Sequence, residues 1–577
     1  RGVYIVSGKF FDSSTEVNNL KQMLERSADL FGDKNAFWLK SKSGKYYGVK
    51  YSEFKNDVDS LGTALINLGL KNKHIALISE NRYEWCLTYL AAANGTGVIV
   101  PLDRELPAAE ICNLIKRSKA SALVFSEKLY SKIHDIIDEL SEVEFLINMD
   151  AAEDTEEYLS LSKLIAEGNK LLNSGNRDFI DAEIDPDVMS FLIFTSGTTD
   201  LAKGVMLSHR NIAFDVISVS EAVKMYSSDS ILSILPLHHT YECTAGFLTM
   251  VYNGCSISFC EGLKYITKNL QEVKPTLLIS VPLILENVHK KIWDQAKKRK
   301  SLYFKLKVGL SVSNFLLNNF KVDVRKKLFK QIQQNLGGRL RIVISGAAGL
   351  NPEVGKCLND LGIPIYQGYG LTECSPIVSV NREDNLKHNS IGLPLNGVQI
   401  RIDNPNEEGI GELVVKGPNV MLGYYENEAA TASVLKNGWL YTGDLGYLDV
   451  DGFYYITGRK KNVIVTKNGK NIFPEEVESY LNKSPYILES LVSGENNKDS
   501  DETLVIAQIV PNFEAIKQKL NVDILSNDDV YKIISAEVKS VNKSMPLYKH
   551  IKKFTIRETE FVKTTTKKIK RYAQNIS

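Results

Sequence analysis

Residues 194–204 read FTSGTTDLAKG and directly follow a short apolar run. Glycines in such a loop let backbone N–H groups approach an anion, the hydroxyls donate further hydrogen bonds, and the lysine adds a positive charge. Together with a helix-like segment at 208–223, the stretch predicts a strand, a phosphate-binding loop and a helix in succession. The loop does not match the Walker A pattern, because Ala202 stands at its second glycine position and Gly204 follows Lys203. From these residues alone, an ordinary polar loop remains an alternative.

The composition describes a large protein without a general electrostatic preference. Its 577 residues exceed the usual size of one hydrophobic core, so we expect one large composite domain and at least one smaller domain. The 70 Lys and Arg residues balance 69 Asp and Glu residues, and we expect no nucleic-acid partner. Seven scattered cysteines without a CxxC motif or metal-ligand spacing indicate reduced thiols. The first residues lack the apolar run of a secretion signal, so we expect a cytoplasmic protein.

Helix-like and strand-like patterns alternate along the first part of the chain. The segment NNLKQMLERSADLF (18–31) has helical spacing, whereas HIALIS (74–79) and SALVFS (121–126) are short β-branched runs. This alternation predicts an α/β fold with mainly parallel strands. Glycine-punctuated strand patterns at about 385–458 predict a small β-rich subdomain, and from Arg459 onward the pattern predicts a separate α+β unit.

A lysine-rich stretch with a helical pattern lies at about 286–336. A solvated helical face is the simplest interpretation, and an acidic carrier protein or an anionic membrane surface as its partner are the alternatives. The most apolar long stretch, at 245–260, is shorter than the roughly 20 residues that span a bilayer, so we predict that it lies in the core. Peripheral contact with the inner face of a membrane is left open.

Four short motifs occur in one order along nearly 400 residues. They are TSGTT with KG (195–204), QGYGLTE (367–373), WLYTGD (439–444) and GRKKNVIV (458–465). In this order they resemble the motifs of the adenylate-forming superfamily, which includes acyl-CoA synthetases, firefly luciferases and nonribosomal peptide adenylation domains. Three further stretches resemble bacterial long-chain fatty acid CoA ligases in particular; they lie at 280–292, 337–350 and 468–478. The resemblance covers essentially the whole chain.

The resemblance also implies a domain organisation. Residues 1–458 would form a large N-terminal adenylation domain with two α/β-layered sheets and a small β-barrel-like subdomain at about 385–458. Residues 459–577 would form a smaller α+β lid domain that moves during the reaction.

The implied activity is ATP-dependent ligation of a long-chain or medium-chain fatty acid to coenzyme A. The carboxylate would first be activated as acyl-AMP with release of pyrophosphate and with Mg²⁺ as cofactor, and the CoA thiol would then attack. An acyl-acyl carrier protein synthetase or a fatty acyl-AMP ligase is the alternative. A P-loop ATPase would release ADP, and the failed Walker A match disfavours it. A lipid-binding relative without activity also remains open, because Asp200 and Lys567 depart from the family pattern.

Within the large domain, the resemblance implies a nucleotide site and an acyl site. Glu373 would bind Mg²⁺, Tyr369 would pack against adenine, and Thr372 would contact the phosphates. His239 would lie beside the acyl carboxylate, where a group that titrates near neutral pH is useful. Without the companion motifs, Tyr369 would more simply be a core residue and Glu373 an acid at a helix N-terminus. Further nucleotide contacts are implied for Thr195, Ser196, Gly197, Thr198, Thr199, Lys203, Gly346, Ala347 and Gly370.

Five residues toward the C-terminus also receive roles from the resemblance. Asp444 would accept hydrogen bonds from both ribose hydroxyls, with Arg459 assisting. Lys461 would be the hinge of the lid domain, and Gly469 would line the tunnel for the pantetheine arm, where a side chain would obstruct the thiol. Lys568 would bridge the carboxylate and the α-phosphate during activation; a register shifted by one residue is the alternative for this lysine.

Overall fold

The structure is a computed structural model in which the chain forms two compact units. The first comprises Arg1–Ile400 and Val415–Leu440, and the second comprises Arg401–Val414 and Tyr441–Ser577. The domain boundary expected after residue 458 stays a prediction. The described residues are 6–7, 17–195, 202–465, 471–497, 502–563 and 569–571.

An eight-stranded sheet of the first unit contains the strand that precedes the glycine-containing loop. Its central strands are parallel, as the alternating pattern predicts: His74–Ile78 pairs in parallel with both Val98–Pro101 and Ala120–Phe125. Every residue of Ala120–Phe125 is buried, which is typical of a parallel sheet covered on both faces. In spatial order the strands are Gly423–Tyr424, Lys203–Ser208, Met189–Thr195, Val98–Pro101, His74–Ile78, Ala120–Phe125, Phe145–Asn148 and Leu159–Ser160.

A nine-stranded sheet in the same unit brings several motifs to one edge. Ile342–Ser345 lies in parallel between Leu277–Ser280 and Ile365–Gly370. Because the carboxyl ends of parallel strands meet at one edge, the residues that follow these strands lie close together. In spatial order the strands are Leu393–Pro394, Ile377–Val380, Ile365–Gly370, Ile342–Ser345, Leu277–Ser280, Ser230–Ser233, Ser256–Phe259, Asn35–Lys40 and Tyr46–Lys50.

Helices complete the layers of the first unit. Their apolar faces are buried; Leu20, Met23 and Leu24 of the first helix, for example, are inaccessible or nearly so. The α-helices are Leu20–Phe31, Tyr51–Asn67, Tyr83–Ala91, Ala108–Ser118, Tyr130–His134, Leu161–Asn173, His209–Ala222, Thr249–Tyr252, Ile266–Val273, Pro282–Lys297, Lys300–Phe320, Arg325–Leu328, Lys330–Asn335, Pro352–Asp360 and Glu428–Val434, and π-helical segments lie at Ala92–Thr96 and Glu242–Leu248.

The predicted succession of strand, loop and helix around residues 194–204 is wrong in one respect. A second strand, Lys203–Ser208, returns antiparallel to Met189–Thr195 before the helix His209–Ala222 begins. Lys203–Ser208 is mostly buried and lies between Gly423–Tyr424 and Met189–Thr195 in the sheet, and Ser208 caps the helix by accepting from the N–H of Asn211. The loop therefore joins the two strands of a hairpin and does not lead directly into a helix N-terminus.

The second unit has an α+β organisation. Ile487–Asn497 pairs antiparallel with Glu502–Pro511, which pairs in parallel with Lys553–Ile556, and helix residues such as Val477 and Ile534 share one apolar core with this sheet. The division between the units crosses the strands Gln399–Asp403, Gly411–Lys416 and Trp439–Leu448. The remaining elements of the second unit are the strands Tyr454–Arg459, Ile464–Val465 and Asn471–Ile472 and the helices Pro474–Leu481, Phe513–Leu520 and Asn527–Lys543.

These observations confirm the predicted α/β class, and the apolar stretch at 245–260 lies largely in the core, as expected. Two short strands, Val6–Ser7 and Leu435–Lys436, add to strand residues 399–400 and 439–440. All seven cysteines are described, and each is a free thiol. Within the described ranges, no helix combines the length and the apolar character that crossing a membrane requires.

Candidate functional site

Thr195 and Lys203 close the hairpin that carries the predicted phosphate-binding loop. They are paired residues of the two strands, and the Thr195 hydroxyl donates to the Lys203 carbonyl oxygen over 3.3 Å. Both side chains are half-buried. The other predicted loop contacts, Ser196, Gly197, Thr198 and Thr199, lie outside the described residues, as does Asp200.

Lys203 is joined to the predicted metal ligand through a tyrosine. The Lys203 ammonium lies 4.7 Å from the centre of the Tyr424 ring, and the Tyr424 hydroxyl donates to Oε1 of Glu373 over 2.9 Å. The ring face attracts the cation, and the hydroxyl orients the carboxylate. Within the described residues, the second oxygen of Glu373 makes no hydrogen bond or ion pair. Sequence reasoning missed Tyr424, which lies on the edge strand beside Lys203–Ser208 and outside every quoted motif.

The QGYGLTE motif forms a hairpin strand and the turn that follows it. Tyr369 is half-buried and pairs with Ser379 of the neighbouring antiparallel strand. A Cβ atom at Gly370 would overlap with the carbonyl oxygen of Pro376, so only glycine fits there. Thr372 and Glu373 lie half-buried in the short helical turn Thr372–Cys374. The motif therefore exposes an aromatic ring, a hydroxyl and a carboxylate along one short stretch.

Gly346 and Ala347 follow the parallel strand Ile342–Ser345, next to Tyr241. A Cβ atom at Gly346 would come within 2.8 Å of the Tyr241 ring, and Ala347 has a left-handed φ of 68°. The Tyr241 hydroxyl donates to the carbonyl oxygen of Ile344 over 3.1 Å and lies 3.4 Å from that of Ser280. Tyr241 thus brings together three segments of the chain, at 239–250, 278–285 and 343–349.

His239 and its neighbour His238 have different surroundings. Their rings are 4.2 Å apart, and His239 is half-buried. The Nε2 atom of His238 lies 3.6 Å from the Asp103 carboxylate, yet burial, with a contribution from the Arg104 cation, lowers the pKa of His238 to about 3. His238 is therefore neutral near pH 7.

Glu242 is a buried carboxyl that sequence reasoning missed. It begins the π-helical segment Glu242–Leu248, is fully inaccessible, and within the described residues neither of its oxygens makes a hydrogen bond of good geometry. Burial raises the pKa of Glu242 to about 8, although the nearby Ser233 hydroxyl and Leu235 backbone partly oppose this shift. A Cβ atom at Gly246 would come within 2.7 Å of its Oε1, so that glycine makes room for the carboxyl. An acid three residues before the apolar stretch at 245–260 is the sequence signal that could have identified it.

Glu242→Gln is expected to reduce the pH dependence of stability. The unfolded chain releases this proton near the ordinary pKa of 4.5, whereas the folded chain keeps it up to about pH 8. The raised pKa therefore contributes stability that is fully present below pH 4.5 and is lost as the pH rises through about 8, on the order of 1 kcal/mol for each pH unit. Because the amide mimics the protonated carboxyl, the stability gain of the variant should grow over this range in urea titrations.

The exposed Glu110, on the helix Ala108–Ser118, provides the matched control for this titration. Glu110→Gln removes the same charge from an exposed position, so the comparison isolates the effect of burying the Glu242 carboxyl. If the stability difference for Glu242→Gln did not grow with pH, Glu242 would not hold a proton in the folded protein at neutral pH.

Asp444 and Arg459 face each other within the second unit. They are paired residues of Trp439–Leu448 and Tyr454–Arg459, and the Arg459 Nε donates to Asp444 Oδ1 over 2.6 Å. The Asp444 side chain is 7% exposed and that of Arg459 is 44% exposed. Gly443, within the strand Trp439–Leu448, adopts a left-handed φ of 72° that favours glycine. The guanidinium thus holds the buried carboxylate in one orientation.

Lys461, the predicted hinge, lies exposed in the short turn Lys460–Asn462 directly after Arg459. Gly469 and Lys568 lie outside the described residues. The residues that flank Lys568 are anchored on both sides: Lys563 pairs with Glu489, and Arg571 donates to both oxygens of Glu478 over 2.6 and 2.7 Å.

Comparisons with known proteins give similar sequences over most of the chain. A sequence profile described as AMP-binding enzyme matches residues 24–425. The fatty acyl-CoA synthetase B of Dictyostelium discoideum is 27% identical, with 92% of this chain and 83% of that protein covered. A long-chain-fatty-acid–CoA ligase of Mycobacterium bovis is 28% identical, with 92% and 90% covered.

Solved structures share the fold over nearly the full length. The anthranilate CoA ligase AuaEII, in complex with anthranoyl-AMP, superposes with a TM-score of 0.75 at 20% identity, covering 96% of both chains. ATP-bound MatB from Rhodopseudomonas palustris superposes with a TM-score of 0.72 at 22% identity, covering 96% of this chain and 98% of that one.

Proposed function

Because the chain belongs to the AMP-binding enzyme family, as its four motifs predicted, we propose that it is an AMP-forming fatty acid CoA ligase. The carboxylate of a long-chain or medium-chain fatty acid attacks the α-phosphate of ATP, giving acyl-AMP and pyrophosphate. The CoA thiol then attacks the acyl carbon, giving the thioester and AMP. Relatives named as fatty acyl-CoA synthetases and long-chain-fatty-acid–CoA ligases over about nine-tenths of this chain support this choice of substrate.

The arrangement of Lys203, Tyr424 and Glu373 is the observation that carries the proposal. It combines a cation at the end of the phosphate-binding hairpin with a half-buried carboxylate that is already oriented by a hydroxyl. Mg²⁺ usually binds through one or two carboxylates together with substrate phosphates, and the free oxygen of Glu373 fits that role. When bound there, the metal would neutralise charge on the departing pyrophosphate.

The other residues would bind and orient the reactants. Lys203 attracts the phosphates, Tyr369 offers a ring face to adenine, and Asp444, held by Arg459, accepts from the ribose hydroxyls. We propose that the acyl carboxylate lies beside His239. Lys568 would contact both the acyl carboxylate and the α-phosphate, the two anions that must approach each other. Its positive charge would lower the repulsion between them.

Two finer points belong to the proposal. Coenzyme A is the favoured acceptor, since the curated relatives are named as CoA ligases or synthetases; an acyl carrier protein is the alternative acceptor.

Peripheral contact with a membrane suits an enzyme whose substrate partitions into lipid, and the basic segment at 286–336 supports it.

Product analysis tests the function directly. The protein is incubated with ATP, Mg²⁺ and fatty acids of graded length, with and without CoA. We expect AMP, pyrophosphate and acyl-CoA when CoA is present, and the rates give the preferred chain length. If acyl-AMP formed but reacted only with a carrier protein, that protein and not CoA would be the acceptor. Release of ADP would contradict the proposal.

Asp444→Asn is expected to raise the KM for ATP about tenfold with a smaller change in kcat. The amide keeps one acceptor but loses the charge that strengthens hydrogen bonds from the ribose hydroxyls. Steady-state kinetics with ATP as the varied substrate measure this, and Asp451→Asn, at an exposed position in the same unit, is the matched control. An equal rise in the KM for the fatty acid would mean that Asp444 supports the general structure and not the nucleotide.

A further inference from the structure

The helix Lys300–Phe320 has an apolar stripe on its outward face. Phe304, Val308, Val312 and Phe315 follow one another at intervals of four, four and three residues, so they share one side of the helix. All four are exposed; Phe304 is 69% and Phe315 is 59% accessible. The ring of Phe320, at the C-terminal end of the helix and 62% accessible, lies 5.8 Å from that of Phe315. We call Phe304, Val308, Val312 and Phe315 the apolar stripe.

The opposite side of the same helix is packed against the first unit. Leu306 and Ser313 are buried there, half a turn away from the apolar stripe by helical spacing. Gly309 allows close approach of the helix to Phe329, whose buried ring would lie 3.3 Å from a Cβ atom at that glycine. The helix therefore has two apolar sides. Because the side with Leu306 packs against the protein, the side with the apolar stripe faces solvent.

Basic residues flank the apolar stripe. Residues 295–322 contain seven lysines and arginines and no acid. By helical spacing, Lys305 lies along one margin of the stripe, and Lys300 and Lys307 lie along the other; all three are exposed. An exposed apolar patch of this kind marks an interaction surface, and its margins are complementary to negative charge.

We propose that the apolar stripe docks the protein on an anionic phospholipid surface. The phenylalanine rings would enter the boundary between headgroups and acyl chains, and the three lysines would lie among the phosphates. A lipid surface fits better than an acidic protein for two reasons. The rings can enter a membrane without matching pockets, and lysines on both margins of the stripe are attracted by lipid phosphates. The inference deepens the membrane contact of the proposed function and rests on that function only for its purpose, delivery of the fatty acid.

Co-sedimentation with lipid vesicles tests the docking surface. The full chain is mixed with vesicles of phosphatidylcholine, or of phosphatidylcholine and phosphatidylglycerol in equal parts, without ATP or fatty acid. We expect binding to the mixed vesicles that weakens with salt. The double variant Phe304→Ser/Phe315→Ser should bind these vesicles at least about tenfold more weakly, because it lacks the two rings that would enter the membrane.

Two further variants separate the contributions of charge and of apolar surface. Lys300→Gln/Lys305→Gln/Lys307→Gln should reduce binding about tenfold or more to the mixed vesicles and flatten the salt dependence. Leu30→Ser/Val188→Ser, which removes two exposed apolar side chains elsewhere in the first unit, should bind as the wild type does. Thermal unfolding and ligase activity with a soluble acid, expected to be unchanged, verify that each variant is folded.

The outcomes are distinguishable. Wild-type binding that the double phenylalanine variant retains would overturn the proposal. The proposal would also be overturned if the protein did not bind vesicles and instead formed a dimer, or a complex with an acidic carrier protein, that depends on Phe304 and Phe315. The stripe would then be a protein interface. Stripe-dependent vesicle binding by a protein without ligase activity would instead overturn the proposed function and leave the docking surface intact.

Discussion

Lys568→Ala is expected to slow the formation of acyl-AMP about a thousandfold, while transfer of a supplied acyl-AMP to CoA continues at nearly the wild-type rate. Activation brings a carboxylate and a phosphate together, and a fixed cation between them is worth most when the negative charges approach. In the thioester step the acyl group is already activated, so this bridging charge is not needed. Single-turnover measurements of each half-reaction give the two rates separately.

Lys567→Ala is the matched control, because it removes an identical charge one position away. It should leave both half-reactions nearly unchanged. If Lys567→Ala caused the loss and Lys568→Ala did not, the register of the final motif would be shifted by one residue. Equal losses in both half-reactions for Lys568→Ala would exclude a role confined to activation.

Glu373→Gln is expected to lower the rate of activation by about a hundredfold and to raise the Mg²⁺ concentration needed for half-maximal activity. The amide keeps the shape of the side chain and can still accept from the Tyr424 hydroxyl, so the change removes chiefly the negative charge. Titration of Mg²⁺ at saturating ATP measures both effects.

Tyr424→Phe separates the orienting role of the tyrosine from the charge of Glu373. The variant keeps the ring beside the Lys203 ammonium and loses only the hydroxyl that contacts the carboxylate. We expect the rate of activation to fall about tenfold, which is the effect of losing one hydrogen bond to a charged group. A Glu373→Gln variant with an unchanged Mg²⁺ requirement would show that Glu373 does not hold the metal.

The alternation of apolar patterns determined the fold class and the main elements. The expected helix at 18–31 is found at Leu20–Phe31, and the expected strand at 74–79 is found at His74–Ile78. Such elements could be predicted because helical spacing and short β-branched runs are local properties of the sequence. The order of four motifs likewise indicated the family, since each motif is read from adjacent residues.

Contacts between distant segments required the tertiary structure. Tyr424 lies 221 residues after Lys203 and 51 after Glu373, and sheet pairing at one edge brings it between them. The second strand of the loop hairpin was missed for the same reason, because its pairing with Met189–Thr195 decides its conformation.

Burial was the other property that the sequence could not supply. Glu242 reads in the sequence as one acid shortly before an apolar stretch, and its pKa is raised only because the surrounding fold excludes water from the carboxyl. The helix Lys300–Phe320 is apolar on two sides, and only packing against Phe329 selects the side that faces solvent. Local pattern thus determined the elements and the motifs, whereas the environment of each side chain was decided by the folded chain, because solvent exclusion and long-range pairing act between residues far apart in sequence.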